Sequence, residues 1–255
     1  MNIIFSYVNL FVNMVNISKG GIVIRSLFIT GTDTDAGKTA AAALLLAYLK
    51  KKGIQAAAYK PVQSGAEMID GVLCAPDVEF YKLANPELAA FTTYLLKKPC
   101  SPHLAAREEE IEIEIDKIIE HYQRLSSENE FVLIEGAGGV MVPLRDDGYS
   151  MLDLMKELSA PVVIVARTGV GTINHTVLTA ERLKQEGINV IGVIMNQMTI
   201  EDTKVEQDNI RMIELMTRVP VLGMIPYLEN PLSAFGDSEM LEHLFSKLME
   251  VDSNE

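Results

Sequence analysis

The sequence predicts an α/β protein: a mostly parallel central sheet with helices on both faces. Three observations carry that expectation. Apolar runs of buried-strand length recur at residues 27–30, 54–59, 131–134, 162–166, 190–195 and 220–226, and helical patterns separate most of them. The first run leads directly into Gly31-Thr32-Asp33-Thr34-Asp35-Ala36-Gly37-Lys38-Thr39 and then into an Ala/Leu-rich helix start. The run at 131–134 ends in Glu135-Gly136-Ala137-Gly138-Gly139, which places a carboxylate and a glycine-rich turn at the tip of a core strand.

The glycine-punctuated loop fits a phosphate site and gives the fold its expected character, that of a P-loop NTPase. Backbone N–H groups of such a loop point at phosphate oxygens, and the following helix aims its positive end at them. Gly37 lets the backbone approach closely. Lys38 stands where it would reach the β/γ-phosphates, and Thr39 where its hydroxyl would hold Mg²⁺. Five residues separate Gly31 from Gly37, where the usual pattern has four. The alternative, an ordinary helix N-terminus with an exposed lysine, ignores the strand before the loop and the helix after it.

Composition bounds the function. The chain has 255 residues, 48% of them hydrophobic, and a net charge of −13, which suits a globular fold with a sizeable core. The acidic balance argues against nucleic acid or an anionic membrane as the main partner, because both favour basic surfaces. Cys74 and Cys100 lack metal-type spacing and read as free thiols of a reducing cytoplasm. His103, His121, His175 and His243 are scattered, which argues against zinc.

Residues 1–24 read as an N-terminal extension, either disordered or an over-long start with the working protein beginning near Met14 or Val23. No basic residue precedes Lys19, unlike a signal peptide, and asparagines interrupt the apolar run. Residues 25–255 read as one domain, with no composition break or internal repeat. The helix opened by Lys38 ends at Gly53. The strand at 54–59 delivers Lys60-Pro61-Val62-Gln63-Ser64-Gly65 at its C-terminal end, the edge where ligands gather in parallel sheets. Lys60 and Ser64 therefore face the crevice of Lys38.

Asp77 precedes a short helical pattern at 78–84 and reads first as its N-cap. Pro99 and Pro102 mark a loop, Glu108-Glu109-Glu110 a solvated charge run, and a helix starts near Ile115. Glu135 sits where a P-loop NTPase places its second metal-binding carboxylate, or else caps a neighbouring helix. Thr172 or Asn174 reads as a helix cap. Asn196-Gln197, at a strand tip, pairs with a base edge or satisfies loop backbone. A helix over 200–217, a last strand and a C-terminal amphipathic helix complete the chain.

Several of these stretches together resemble the dethiobiotin synthetase family. The resemblance covers about residues 25–230. It rests on the Gly31–Thr39 loop, including its longer spacing, on Tyr59-Lys60-Pro61-Val62-Gln63-Ser64-Gly65, on Ser101-Pro102-His103, on Glu135-Gly136-Ala137-Gly138-Gly139, on Gly171-Thr172-Ile173-Asn174-His175 and on Ile225-Pro226-Tyr227. It implies an ATP-dependent ligase of biotin biosynthesis that carboxylates 7,8-diaminopelargonic acid with CO₂ and closes the ureido ring. The carbamate is phosphorylated on the way to a mixed anhydride. Lys60 and Lys38 are then the catalytic residues. Nucleotide contacts fall to Asp35, Ala36, Gly37, Lys38, Thr39, Ala40, Asp77, Glu135, Gly136, Ala137, Gly138, Asn196, Gln197, Pro226, Tyr227 and Leu228.

The resemblance likewise implies substrate contacts at Thr34, Ser64 and Asn174, with Thr39, Asp77 and Glu135 on Mg²⁺ beside ATP as co-substrate. It makes the enzyme a homodimer, with Asn174 reaching the substrate carboxylate across the interface. Three positions depart from the family pattern: Gln197 and Leu232 stand where some members carry acidic residues, and Asn209 where some carry tyrosine. Two rivals fit less well. An amidotransferring cobyrinate-type ligase needs a longer chain. A partition or septum-site switch ATPase carries an extra lysine early in the loop, where this chain reads Thr32-Asp33-Thr34.

Overall fold

The computed structural model describes residues 15–18, 21–199 and 203–250. Most of the expected N-terminal extension lies outside the described residues. Within it, Val15–Ser18 (β1) and Gly21–Ile24 (β2) form an antiparallel hairpin. The body of the protein is a seven-stranded, wholly parallel sheet. Its strands are β3 (Ser26–Gly31), β4 (Ala56–Gln63), β7 (Ala89–Leu95), β8 (Phe131–Gly139), β9 (Val162–Arg167), β10 (Val190–Asn196) and β11 (Val221–Ile225), in the spatial order β11-β10-β9-β3-β8-β4-β7.

The chain travels outward along the sheet and then returns, and the helices divide accordingly. On the outward path α1 (Lys38–Lys51) and α2 (Pro76–Ala84) cover one face, joined there by the last helix, α9 (Ser238–Glu250). On the return, α4 (Ile115–Glu128), α5 (Met151–Leu158), α6 (Thr172–Gln185) and α7 (Thr203–Thr217) cover the other. Right-handed crossovers require this exchange of faces when the direction reverses. The strands are apolar on both faces because both are buried: Leu27 and Ile29 enter the core under α1, while Phe28 enters the opposite core.

Sequence and structure differ in instructive places. The strand at 54–59 extends to Gln63 and the one at 131–134 to Gly139, so each carries its functional residue within the strand rather than beyond it. Pro102 opens α3 (Pro102–Glu108) instead of marking a loop; proline is tolerated in the first turn, where its missing N–H has no partner to lose. In the charge run, Glu109 accepts from the backbone N–H groups of Lys97 and Lys98 at 2.7 and 3.1 Å, anchoring the chain after β7, and Glu108 pairs with Lys98. The expected helix at 200–217 spans Thr203–Thr217, its first three residues lying outside the described residues. A small hairpin, β5 (Glu67–Ile69) and β6 (Val72–Cys74), and a short α8 (Pro231–Ala234) complete the fold.

Candidate active site

The site forms at the C-terminal end of the sheet, on the face covered by α1 and α2. Strands β4 and β8 run in register, with Tyr59 opposite Ile134, so the next residues, Lys60 and Glu135, are neighbours across the same gap. Side chains alternate along a strand. Ala58 and Leu133 point into the core under α1, and Lys60 and Glu135, two residues further on, point the same way. Both are buried, at 4% and 2% exposure, at the edge of an apolar core. Charges there persist only if paired.

They are paired closely. Lys60 Nζ lies 2.7 Å from Glu135 Oε1 and 2.6 Å from Asp77 Oδ2, and donates to Gly136 O at 3.2 Å. Thr39 Oγ1, in the first turn of α1, donates toward Asp77 Oδ1 at 3.1 Å and Glu135 Oε1 at 3.0 Å. Asp77 is not the N-cap of α2. That position is Ala75, followed by Pro76, which frees the Asp77 carboxylate for the cluster. The N-termini of α1 and α2 both aim their positive ends at this acidic pair. Burial alone would lower the Lys60 ammonium. Glu135 and Asp77 outweigh burial and hold it above the usual lysine value.

Lys38 adjoins this group. Its Nζ folds back onto the loop carbonyls of Asp33 (2.8 Å) and Thr34 (2.7 Å). Burial first, then repulsion from Lys60, lowers it to about 8 against the pull of Glu135, Asp77 and Asp33. Gly37 has φ of 95°, left-handed and favourable for glycine, and a Cβ there would meet Asn196 Nδ2 at 1.9 Å. Asn196 donates from that nitrogen to Ala36 O at 3.1 Å. The tip of β10 thus clasps the loop. Gln197 bridges onward: its Nε2 donates to Glu206 at 2.7 Å, and its Oε1 accepts from Tyr227 N at 2.8 Å, drawing the Pro226-Tyr227-Leu228 segment toward the same edge. Both amides therefore satisfy protein groups, one of the two roles open to them on sequence.

Other expected residues lie around the cluster without joining its side-chain hydrogen bonds. Asp35, Ala36 and Ala40 belong to the loop and first turn, and Gly136, Ala137 and Gly138 continue β8 past Glu135. Thr34 is exposed on the loop, and Ser64 follows β4. Asn174 is exposed in the first turn of α6 and caps nothing: the N-cap is Gly171, and the Thr172 hydroxyl donates to Arg167 O. Asn209, where some family members carry tyrosine, is buried and donates to Thr168 O at 2.9 Å, holding the loop before α6. Between the phosphate loop and α6 lies a cleft of about 480 Å³, lined by Thr32, Thr34, Met141, Pro143, His175 and Leu178 among others.

One residue was not legible from the sequence. Tyr81 is 1% exposed and donates to Glu135 Oε2 at 2.5 Å. Burial first, then the Glu135 and Asp77 carboxylates, push its phenol well above the usual tyrosine range, so it is a neutral donor. The available signal was its spacing, one helical turn after Asp77.

The donors at the centre are all oxygen: one hydroxyl and two carboxylates. Among the described residues no group of three or more His, Cys, Asp or Glu side chains converges to hold a metal. A cation bound here would take few protein ligands and draw the rest from phosphate and water, as small hard divalent ions do. A lysine, a threonine and a glycine-built loop beside them suit a nucleotide triphosphate.

Known proteins resemble this chain in sequence and in fold. A family model described as an AAA domain matches residues 25–232. The ATP-dependent dethiobiotin synthetase BioD of Anoxybacillus flavithermus is 50% identical over 208 residues, covering 81% of this chain and 94% of that protein. The protein of the same name from Halalkalibacterium halodurans is 43% identical over 226 residues, covering 88% of this chain and 93% of its own. Among solved structures, a ParA family ATPase from Chlorobium tepidum superposes with a TM-score of 0.54 at 13% identity, covering 91% of this chain and 98% of that one. MinD of Aquifex aeolicus gives 0.55 at 14%, covering 89% and 97%. At such low identity these two share the fold, a parallel-sheet P-loop NTPase architecture, and nothing finer. By the length and identity of its match to the synthetases, the chain belongs to the ATP-dependent dethiobiotin synthetase family.

Proposed function

We propose that this protein joins CO₂ to 7,8-diaminopelargonic acid at the expense of ATP, forming dethiobiotin for biotin biosynthesis. The observation that carries the reading is the convergence of buried Lys60 and Glu135 with half-buried Asp77 and Thr39 beside the Lys38 loop. One neutral amine of the substrate attacks CO₂, forming an N–C bond and releasing a proton, to give a carbamate. Positive charge from Lys38 and Lys60 favours the neutral amine and then stabilises the carbamate anion. A carbamate oxygen attacks the γ-phosphorus of ATP, breaking the bond to ADP and forming the mixed anhydride. The second amine, also neutral, attacks its carbonyl carbon; the new C–N bond forms as the C–O bond to phosphate breaks, and the amine gives up a proton as the ring closes.

Positioning and charge neutralisation do most of this work. Lys38 would exchange its carbonyl partners for phosphate oxygens. Thr39, Asp77 and Glu135 would hold Mg²⁺, which supplies charge neutralisation at the phosphates. Asn196, Gln197 and the 226–228 segment would border the base, and Thr34, Ser64 and Asn174 the substrate. The enzyme would act as a homodimer in the cytoplasm. Exposed Met141 and Leu178 beside the cleft, together with the exposed Asn174, support an interface there that brings the partner copy's helix to the substrate. Among the described residues no helix is long and apolar enough to cross a membrane.

The test is product formation. Purified protein given the diamine, bicarbonate, Mg²⁺ and ATP should yield dethiobiotin by mass spectrometry, with ADP release dependent on the diamine. ATP turnover indifferent to the diamine, or stimulated by DNA or lipid, would refute the reading.

A further inference from the structure

The geometry points to Tyr81 as a positioning residue that fixes how Glu135 presents its carboxylate to the cation and to Lys60. This inference rests on the proposed reading of Glu135 as a cation ligand. The two oxygens of Glu135 are divided between different partners. Oε2 receives only the Tyr81 hydroxyl, at 2.5 Å, among the hydrogen bonds of the described residues. Oε1 receives Lys60 at 2.7 Å and Thr39 at 3.0 Å. With Oε2 held, the carboxylate cannot turn to offer both oxygens to the crevice.

Helix α2 supplies the device as a unit. Asp77 and Tyr81 lie one turn apart and therefore on one face. Asp77 joins the crevice directly, and Tyr81 reaches past it to the rear of Glu135. The phenol ring is packed in the core under α1, so its hydroxyl has little freedom to leave. Partners that orient ligating carboxylates typically change metal affinity or activity by ~10–100-fold when removed.

Tyr81→Phe keeps the ring and deletes the donor. The experiment is a calorimetric titration of ADP binding at a series of Mg²⁺ concentrations, for wild type, Tyr81→Phe, Glu135→Gln and the double variant, with KM for the diamine measured alongside. The Mg²⁺ concentration for half-maximal ADP binding should rise by ~10-fold or more in Tyr81→Phe while the diamine KM holds. In the Glu135→Gln background, adding Tyr81→Phe should shift it little further. A Tyr81→Phe protein that melts lower but keeps the wild-type Mg²⁺ dependence makes Tyr81 structural only and overturns the proposal, as does full additivity in the double variant. If Glu135→Gln also leaves the Mg²⁺ dependence unmoved, the reading of Glu135 as a ligand has failed as well. Should Tyr81→Phe alone not fold, Tyr81→Met, which also removes the donor, takes its place: a raised Mg²⁺ requirement that the Glu135→Gln background masks supports the role, and one equal to wild type overturns it.

Discussion

Replacing Lys60 with methionine tests the core of the site, because it removes one charge and keeps the length of the side chain. In the native protein that ammonium lies 2.6 Å from Asp77 and 2.7 Å from Glu135, with its side chain 5% exposed. Without it, two carboxylates remain close together with no cation between them. Removing one partner of a buried ion pair costs about 3–5 kcal/mol. For a chain of this size that is a fall of about 6–20 °C in melting temperature, at roughly 2–4 °C per kcal/mol. Mg²⁺ should recover part of this loss, raising the melting temperature of Lys60→Met more than that of wild type, since the ion replaces the missing charge. Dethiobiotin formation should nevertheless fall by at least about 10²–10³-fold, the usual consequence of losing one group that stabilises developing charge. The assays are thermal unfolding with EDTA and with Mg²⁺, and mass-spectrometric product formation. Unchanged melting in EDTA together with near-normal turnover would refute the reasoning.

Asp77→Asn should raise the Mg²⁺ requirement of turnover, because the amide keeps the shape and loses the charge; an unchanged metal titration would count against the residue as a ligand. Gly37→Ala should weaken ADP binding through two effects, a Cβ 1.9 Å from Asn196 Nδ2 and a left-handed backbone at φ 95° that costs a non-glycine residue roughly 1–2 kcal/mol. Adding Asn196→Ala should relieve only the first, so equal damage in the single and double variants would show that the clash is not felt. His121 has its pKa lowered below 6.5, chiefly by burial and then by Arg124. The unfolded chain therefore takes up this proton at higher pH than the folded one, and stability is lost as pH falls from about 6.5. His121→Phe, which retains ring contacts with Tyr59 and Phe91, should flatten urea-derived stability as pH falls below about 6.5, and an unaltered slope would remove His121 from the account.

Much of this architecture was legible because its signals are local. The strands under the site are uninterrupted apolar runs; Lys60 and Glu135 each follow one directly, and Lys38 follows one through the glycine-punctuated loop. The edge strand β7 escaped notice for the opposite reason: Ala89–Leu95 is half-buried at every residue and mixes threonine with apolar side chains, so neither period dominates. The hairpin at residues 67–74 is largely exposed and leaves no core pattern at all. Helix α5 is only eight residues long, and its capping box at Ser150 and Asp153 went unread. Asp77 was misread as a cap because alanine, a poor cap by sequence, occupies that position ahead of Pro76. Tyr81 was invisible because its partner lies 54 residues away, on a strand that only the folded sheet brings alongside.

The matched register of β4 and β8 makes the chemistry a matter of odd and even counting. Lys60 and Glu135 meet because each is one residue past a paired position, Tyr59 opposite Ile134. Deleting or inserting a single residue upstream in either strand would swing its charged group through the sheet to the layer packed by α4 and α5, whereas a two-residue change would keep the orientation and shift only the height. Length variation in these two strands is thus restricted to even steps, however freely the outer loops lengthen or shorten.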